Sequence, residues 1–150
     1  MLIEKTSLIQ EWERAKLGAQ DFIDAMPEDK IGFRPAPEIF SFAGQFLHIA
    51  NTNHRFAGAL SNASEPPAAL TEPVTKAALK EFALASYDAI IKALQSLGPE
   101  ALGEEITFHK WTMPRRIVAS KALEHHAHHR GQTVIYFRVQ GLQPPSERLF

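Results

Sequence analysis

The sequence predicts an all-α protein, a four-helix bundle with at least one crossover connection. Apolar residues recur every three or four positions over four long segments. Stretches rich in Pro, Gly, Ser or Asn separate these segments. With 150 residues, 45% hydrophobic and 22% charged, the chain can build one ordinary core but not two. We therefore expect a single domain over residues 1–150.

The first two helices are predicted over residues 2–26 and 41–60. In both, apolar side chains share one helical face and charged or amide side chains fill the other. Pro27 ends the first helix, and residues 28–39 carry two prolines and a glycine, so an extended connection is expected there. Ser41 is a suitable N-cap for the second helix.

The remaining helices are predicted over residues 74–97 and 114–140. Residues 61–73, rich in Pro, Ser and Ala, are expected to form a loop long enough to shape the rim of a pocket. Residues 101–113 alternate apolar and polar side chains over too short a run to separate strand from loop. They are predicted to be a connection with possible extended structure. Gly141 is a suitable C-cap for the last helix.

Four of the seven histidines lie within five positions of the last predicted helix. At about 100° per residue, His125 and His129 fall on its apolar stripe, and His126 and His128 flank that stripe. Residues four apart stack one turn above another, so both imidazoles of the first pair can bind one ion from the same side. The alternative interpretation is a fortuitous metal site on the surface.

A single buried ion needs at least one further ligand. On the second helix His48 lies at the edge of the apolar face, whereas His54 points away from it. An isolated His48 would be an ordinary hydrogen-bonded or partly exposed residue, but opposite two histidines it completes a three-imidazole set. Three imidazoles leave a coordination position open, as catalytic sites do. Zn²⁺ or Ni²⁺ suits such ligands best, with Fe²⁺ or Mn²⁺ as alternatives.

Other features of the sequence limit the possible reactions, partners and location of the protein. The chain has no cysteine, so a reactive thiol would have to come from a co-substrate. His126 stands where the zincin H-E-x-x-H helix has its catalytic Glu, which disfavours a zinc peptidase. A net charge of −1 without a basic run disfavours nucleic acid and membrane surfaces, so small molecules or proteins are the expected partners. Without an apolar targeting segment, a cytoplasmic location is expected.

Two stretches of this sequence match a known pattern. The first is the run His125-x-x-x-His129-Arg130-Gly131-Gln132, followed by Tyr136-Phe137-Arg138 and Gly141-x-x-Pro144-Pro145. The second is Ser41-Phe42-Ala43-Gly44-Gln45-Phe46-Leu47-His48-Ile49-Ala50, preceded by Phe33-Arg34-Pro35. Together they resemble the motifs of the DinB-like (DinB/YfiT) metal-binding four-helix bundles, over essentially the whole chain.

The resemblance implies that His48, His125 and His129 coordinate a divalent ion. Relatives in that family include transferases and isomerases that use low-molecular-weight thiols, along with many members of unknown activity. The resemblance does not choose among these activities. The first hypothesis is a metal-dependent enzyme, of the thiol-dependent S-transferase or hydrolase type, in which the ion would activate a thiol or water. Its catalytic residues are unknown, and the expected nucleophile is a water or thiol activated by the ion. Alternatives are a non-enzymatic metal- or ligand-binding bundle that responds to stress, and a vestigial site in a protein that acts by association.

Several neighbouring residues have candidate roles. Arg55 would anchor a charged thiol, or is an ordinary surface residue. Gln132 and Tyr136 lie on the metal-facing stripe and would hydrogen-bond a substrate or orient a ligand, although Tyr136 packing in the core is favoured. Arg130 and Gly131 are assigned to structure, as an ion-pair partner and a site of close helix approach. Similar bundles commonly form dimers, so a homodimer is expected.

Overall fold

The computed structural model describes residues 2–63 and 65–150. In this part of the chain four long helices dominate, which confirms the predicted all-α class. The helices are α1 (Leu2–Ala25), α2 (Phe42–Ser61), α3 (Lys76–Ser96) and α4 (Arg115–Val139). Two short strands, β1 (Glu105–Phe108) and β2 (Trp111–Pro114), lie between α3 and α4.

The order in which the helices pack explains the crossovers. Helix α1 packs mainly against α3 and α4, and α2 also packs mainly against α3 and α4. Consecutive helices α1 and α2 therefore lie across a diagonal of the bundle, as do α3 and α4. Only α2 and α3 are neighbours in both chain and space. This arrangement places α2 beside α4, the two helices that carry the candidate ligands.

Aromatic side chains fill the centre of the bundle. The ring of Phe137 on α4 makes edge-to-face contacts with Phe22 and Phe42, at centroid distances of 5.7 and 5.8 Å. Trp12 on α1 is fully buried, 6.0 Å from the ring of Tyr87 on α3. Edge-to-face pairs of this kind stabilise a core beyond the area they bury. Together with the tilted Trp12–Tyr87 pair, they link all four helices.

The helix ends follow the sequence closely. The Ser41 hydroxyl accepts a hydrogen bond from the Gly44 amide at 2.8 Å, which confirms the predicted N-cap of α2. Helix α3 begins two residues later than predicted, because Thr75 caps it. Gly141 has a φ of +72°, the left-handed conformation of a glycine that follows a helix. The connection after α1 is not wholly extended, since Glu28–Lys30 forms one turn of 3-10 helix.

The segment that was ambiguous in sequence forms a 3-10 turn and a β-hairpin. Strands β1 and β2 pair antiparallel, with Ile106 opposite Met113 and Phe108 opposite Trp111. At the foot of the hairpin the buried Arg115 side chain donates to a Glu104 carboxylate oxygen at 2.8 Å, tying the hairpin to the start of α4. No helix in the described residues is both long and apolar enough to cross a membrane.

Candidate metal centre

Helices α2 and α4 bring together the three histidines that the sequence singled out. The Nε2 atoms of His48 and His125 lie 3.0 Å apart. The His129 ring centroid lies 4.4 Å from that of His48 and 4.6 Å from that of His125. In the described part of the chain this is the one group of three or more His, Cys, Asp or Glu side chains arranged to hold an ion.

The spacing of these nitrogens suits a single ion. Each residue offers one ring nitrogen, and the three atoms lie within 4.8 Å of one another. Two imidazole nitrogens bound at about 2.0–2.1 Å to one ion would be about 2.8–3.4 Å apart, for angles at the ion between about 90° and the tetrahedral angle. The His48–His125 distance already falls in this range. All three rings are half-buried, so the group also remains open to small molecules on one side.

A buried glutamine that the sequence reasoning overlooked fixes the orientation of His129. Gln45 on α2 is 1% exposed, and its Oε1 lies 2.8 Å from Nδ1 of His129. Its Nε2 donates to the Tyr136 hydroxyl at 2.9 Å, and that hydroxyl donates to the Phe40 carbonyl at 2.6 Å. The Gln45 amide also donates to Oε1 of Gln132 at 3.1 Å.

This chain of hydrogen bonds determines which ring nitrogen of His129 has a lone pair available to bind an ion. Because the Tyr136 hydroxyl gives its proton to a carbonyl, it must accept from Gln45. The Gln45 amide therefore turns its oxygen toward His129, whose Nδ1 must carry the proton. The lone pair of neutral His129 then lies on Nε2. Metal-binding histidines are commonly oriented by an acceptor on the other ring nitrogen in this way.

Electrostatics keeps the three rings neutral. Burial, followed by the charge of Arg55, lowers the pKa of His48, and burial followed by His48 and His128 lowers that of His125. Burial and then the neighbouring histidines lower the pKa of His129 to about 4. Each ring therefore disfavours the protonated form at neutral pH. Neutral imidazoles are the form in which histidine binds a metal.

The prediction for His126 was wrong. From sequence it was expected to flank the apolar stripe, as His128 does, but the structure buries it. It is 3% exposed, and its Nδ1 lies 2.6 Å from the Tyr87 hydroxyl on α3. Burial, then Arg130, then His125 lowers its pKa to about 3. His126 thus faces the core away from the other three rings, whereas His128 is exposed.

His126 is buried because it belongs to a second buried stripe of α4. The spacing of this stripe can be read from the sequence. Buried residues recur there at helical spacing, one face around from the His125 stripe. The members are Arg115, Ala119, Ala122, His126, Thr133 and Phe137. Helix α4 thus buries two faces, one toward α2 and one toward the rest of the bundle.

The other candidates are placed as follows. Arg55 is exposed and lines an open polar cavity of about 580 Å³ together with Glu104 and Glu105. Gln132 and Tyr136 both belong to the hydrogen-bond network around Gln45. Tyr136 is also a core residue, as favoured from sequence, because it is 2% exposed with its hydroxyl satisfied.

The structural roles expected for Arg130 and Gly131 were wrong in detail. Gly131 is exposed, and a Cβ there would meet nothing within 4 Å, so it does not permit close helix approach. Gly18 on α1 instead makes room for the Arg130 side chain, since a Cβ there would lie 2.9 Å from Nη1 of Arg130. Arg130 lies over the Phe22 ring at 5.4 Å and has no acidic partner among the described residues.

Comparison with known proteins agrees with this architecture. The family model of the DinB superfamily matches residues 11–133. The uncharacterized protein YjoA of Bacillus subtilis (strain 168) is 23% identical over 124 residues, covering 81% of this chain and 80% of YjoA. A crystal structure of a DinB-like protein from Bacillus cereus ATCC 10987 superposes with a TM-score of 0.81 at 20% identity, covering 93% of this chain and 94% of that one. The crystal structure of Bacillus subtilis YjoA superposes with a TM-score of 0.77 at 22% identity, covering 95% and 97%.

Proposed function

The chain belongs to the DinB superfamily, and we propose that it is a divalent-metal-dependent enzyme whose ion is held by His48, His125 and His129. One observation carries the proposal. Three neutral imidazoles from two helices present ring nitrogens within 4.8 Å of one another, and a buried hydrogen-bond network sets the proton of one of them. A fortuitous surface cluster has no reason to possess such a network.

The donor set indicates the class of ion. Imidazole nitrogens suit Zn²⁺ or Ni²⁺ best, and Fe²⁺ or Mn²⁺ are the alternatives. Three protein ligands leave at least one position for a substrate. When bound, the ion would lower the pKa of a thiol or water and so supply a nucleophile at neutral pH.

The protein side chains define what else the reaction requires. A thiol-dependent S-transferase would take its thiol from a low-molecular-weight co-substrate, since the chain has no cysteine. Arg55, whose charge acts on His48, is the proposed anchor for an anionic group of that thiol. Gln132 is half-buried beside Gln45 and is the proposed hydrogen-bond partner of a substrate. The same site would serve a hydrolase if water replaced the thiol.

The expected homodimer and cytoplasmic location belong to this proposal. Ile135 and Val139 lie one turn apart on α4 and are 51% and 59% exposed, which supports an association surface on that helix. Sedimentation velocity of the untagged protein tests it. A monomer at high micromolar concentration would remove the dimer from the proposal without affecting the metal site.

Metal analysis and turnover test the enzymatic function together. Untagged protein should carry about one ion per chain, and metal-dependent turnover should appear when an electrophile is offered with a panel of small thiols or with water. His125→Ala should lose both, and His128→Ala, an exposed neighbour, should keep both. Stoichiometric metal without turnover over a broad panel would favour the non-enzymatic metal-binding alternative, and stoichiometric metal in His125→Ala would contradict the three-histidine site.

A further inference from the structure

An apolar cleft lies beside the candidate metal centre, between α2, α4 and the hairpin. Its volume is about 290 Å³. The lining residues are Phe56, Phe108, Trp111, Met113, Val118 and Lys121. Five of these six side chains are apolar, and three of them are aromatic.

Phe56 connects the cleft to the histidines. It is buried on α2, two turns after His48, and its ring centroid lies 6.4 Å from that of His125. On α4, Val118 and Lys121 lie two turns and one turn before His125. The cleft therefore begins one to two turns along α4 from His125, within the span of a single small molecule.

The walls of the cleft are largely aromatic. The rings of Phe56 and Phe108 stack at a centroid distance of 4.2 Å with only 15° between their planes. Met113, which can adapt its shape, is half-buried, and Trp111 at the rim is 61% exposed. Exposure of a large aromatic side chain beside a concave apolar surface is typical of a ligand site.

The one charged lining residue does not make the cleft polar. The Lys121 ammonium group donates to a Glu124 carboxylate oxygen at 2.8 Å and is thereby directed along the outside of α4. A buried charge in the ligand would find no partner among the other lining side chains. The interior therefore favours an uncharged, aromatic-sized group.

From these contacts we infer that the cleft binds an apolar, aromatic-sized portion of the substrate whose reacting end lies at the three histidines. The inference rests on the proposed function, and it names the class of substrate. The volume is close to the lower limit of small-molecule pockets, which fits one ring with a short chain and not a large cofactor.

A pair of metal-binding probes tests the inference. Acetohydroxamic acid and 3-phenylpropanohydroxamic acid carry the same metal-binding group, and only the second carries a phenyl ring. Titration of the Co²⁺-loaded protein, followed by the Co²⁺ absorption spectrum, should show that the phenyl compound binds at least about tenfold more tightly. Val118→Trp, which fills the cleft, should reduce the preference to less than about twofold. Ile117→Trp, at an exposed neighbour outside the cleft, should retain it.

A second readout does not depend on metal. In the metal-free protein, 3-phenylpropanohydroxamic acid should change the fluorescence of Trp111, and acetohydroxamic acid should not. Trp12 is fully buried and serves as a constant background. Trp111→Phe should abolish the change.

The outcomes separate the two proposals. Equal affinity of both hydroxamates, with no fluorescence change, would overturn the cleft inference and leave the metal site standing. Failure of both hydroxamates to alter the Co²⁺ spectrum, with the phenyl-specific fluorescence change intact, would overturn the proposed function and not the cleft. A dimer that dissociates in Val118→Trp, without phenyl binding in the unmodified protein, would show that a second copy of the chain occupies the cleft.

Discussion

His125 and His126 are neighbours in the chain, yet α4 turns them into different surroundings. His125 points toward α2, 3.0 Å from His48 by their Nε2 atoms, and its buried Nδ1 has no hydrogen-bond partner in the described part of the chain. His126 points toward α3, where the Tyr87 hydroxyl occupies its Nδ1 at 2.6 Å. His126 is the more buried of the two.

This contrast shows that burial alone does not distinguish a ligand from a structural residue. His126 is 3% exposed and its Nδ1 is satisfied by Tyr87, so its role is to link α4 to α3 across the core. His125 is less buried, faces two further imidazoles, and its Nδ1 has no hydrogen-bond partner among the described residues. Histidines of the second kind are the candidates for chemistry.

The largest effect is expected from removing a candidate ligand. His125→Ala should lower the affinity for Zn²⁺ by at least about a thousandfold, more than the 10–100-fold typical of an outer hydrogen-bond partner. The free energy of unfolding of the metal-free protein should change by no more than about 1 kcal/mol, because an unsatisfied group is removed. Competition titration with a chelator and urea denaturation give the two values.

His126→Ala should show the opposite behaviour. Losing a fully buried ring and leaving the Tyr87 hydroxyl without its partner should lower the free energy of unfolding by about 2–4 kcal/mol. Metal stoichiometry, measured well below the unfolding temperature, should stay at that of the unmodified protein. His128→Ala is the exposed control and should change stability by less than about 0.5 kcal/mol. Loss of metal from folded His126→Ala would contradict the assignment of His125 to the metal site and of His126 to the core.

An intermediate effect is expected at Gln45, which acts on the metal through His129. Gln45→Leu keeps the size but removes the acceptor for Nδ1 of His129, and should lower metal affinity by about 10–100-fold. Gln45→Glu restores an acceptor and should recover affinity to within about threefold of the unmodified protein. If both variants bound metal equally well, the network would have only a packing role.

The smallest effect is expected at His54. Like His125 it has a buried ring nitrogen without a hydrogen-bond partner among the described residues, but it does not belong to the three-histidine group. Its Nε2 is buried and unpaired among the described residues, its ring packs on Phe82 of α3 at 5.1 Å, and burial lowers its pKa. Below pH 6.5 the unfolded chain therefore binds a proton more readily than the folded one, so stability falls as pH falls. Urea denaturation of metal-free protein at pH 7.5 and pH 5.5 should show a smaller fall for His54→Phe than for the unmodified chain. An equal fall would mean that His54 titrates normally in the folded state.

The four helices were predictable because their apolar pattern repeats over many residues. Four long helices, the Ser41 N-cap and the left-handed Gly141 after α4 all appear close to where the periodicity and end signals predicted them. The hairpin was not predictable. Its strands have four residues each and its stability depends on contacts with α2 and α4, such as the Phe56–Phe108 stack, that no local pattern contains.

The candidate site was predictable only in part. The i, i+4 spacing and the inward face of α2 selected His48, His125 and His129 correctly as residues that come together. The role of Gln45 was missed because it depends on the packing of α4 against α2, which the sequence of α2 does not reveal. His126 was misplaced because a single apolar stripe was assumed for α4, whereas α4 packs against both α1 and α2 and buries two faces. The single domain over residues 1–150 stays a prediction.

X-ray absorption spectroscopy of the untagged protein reconstituted with Zn²⁺ counts the donors around the ion and so tests the three-histidine site itself. We predict three imidazole nitrogens at about 2.0–2.1 Å from the ion and at least one further light donor that exchanges with added ligand. The same measurement on His126→Ala should give an unchanged spectrum. A shell of four protein donors that added ligand does not alter, or fewer than three imidazoles, would contradict the account.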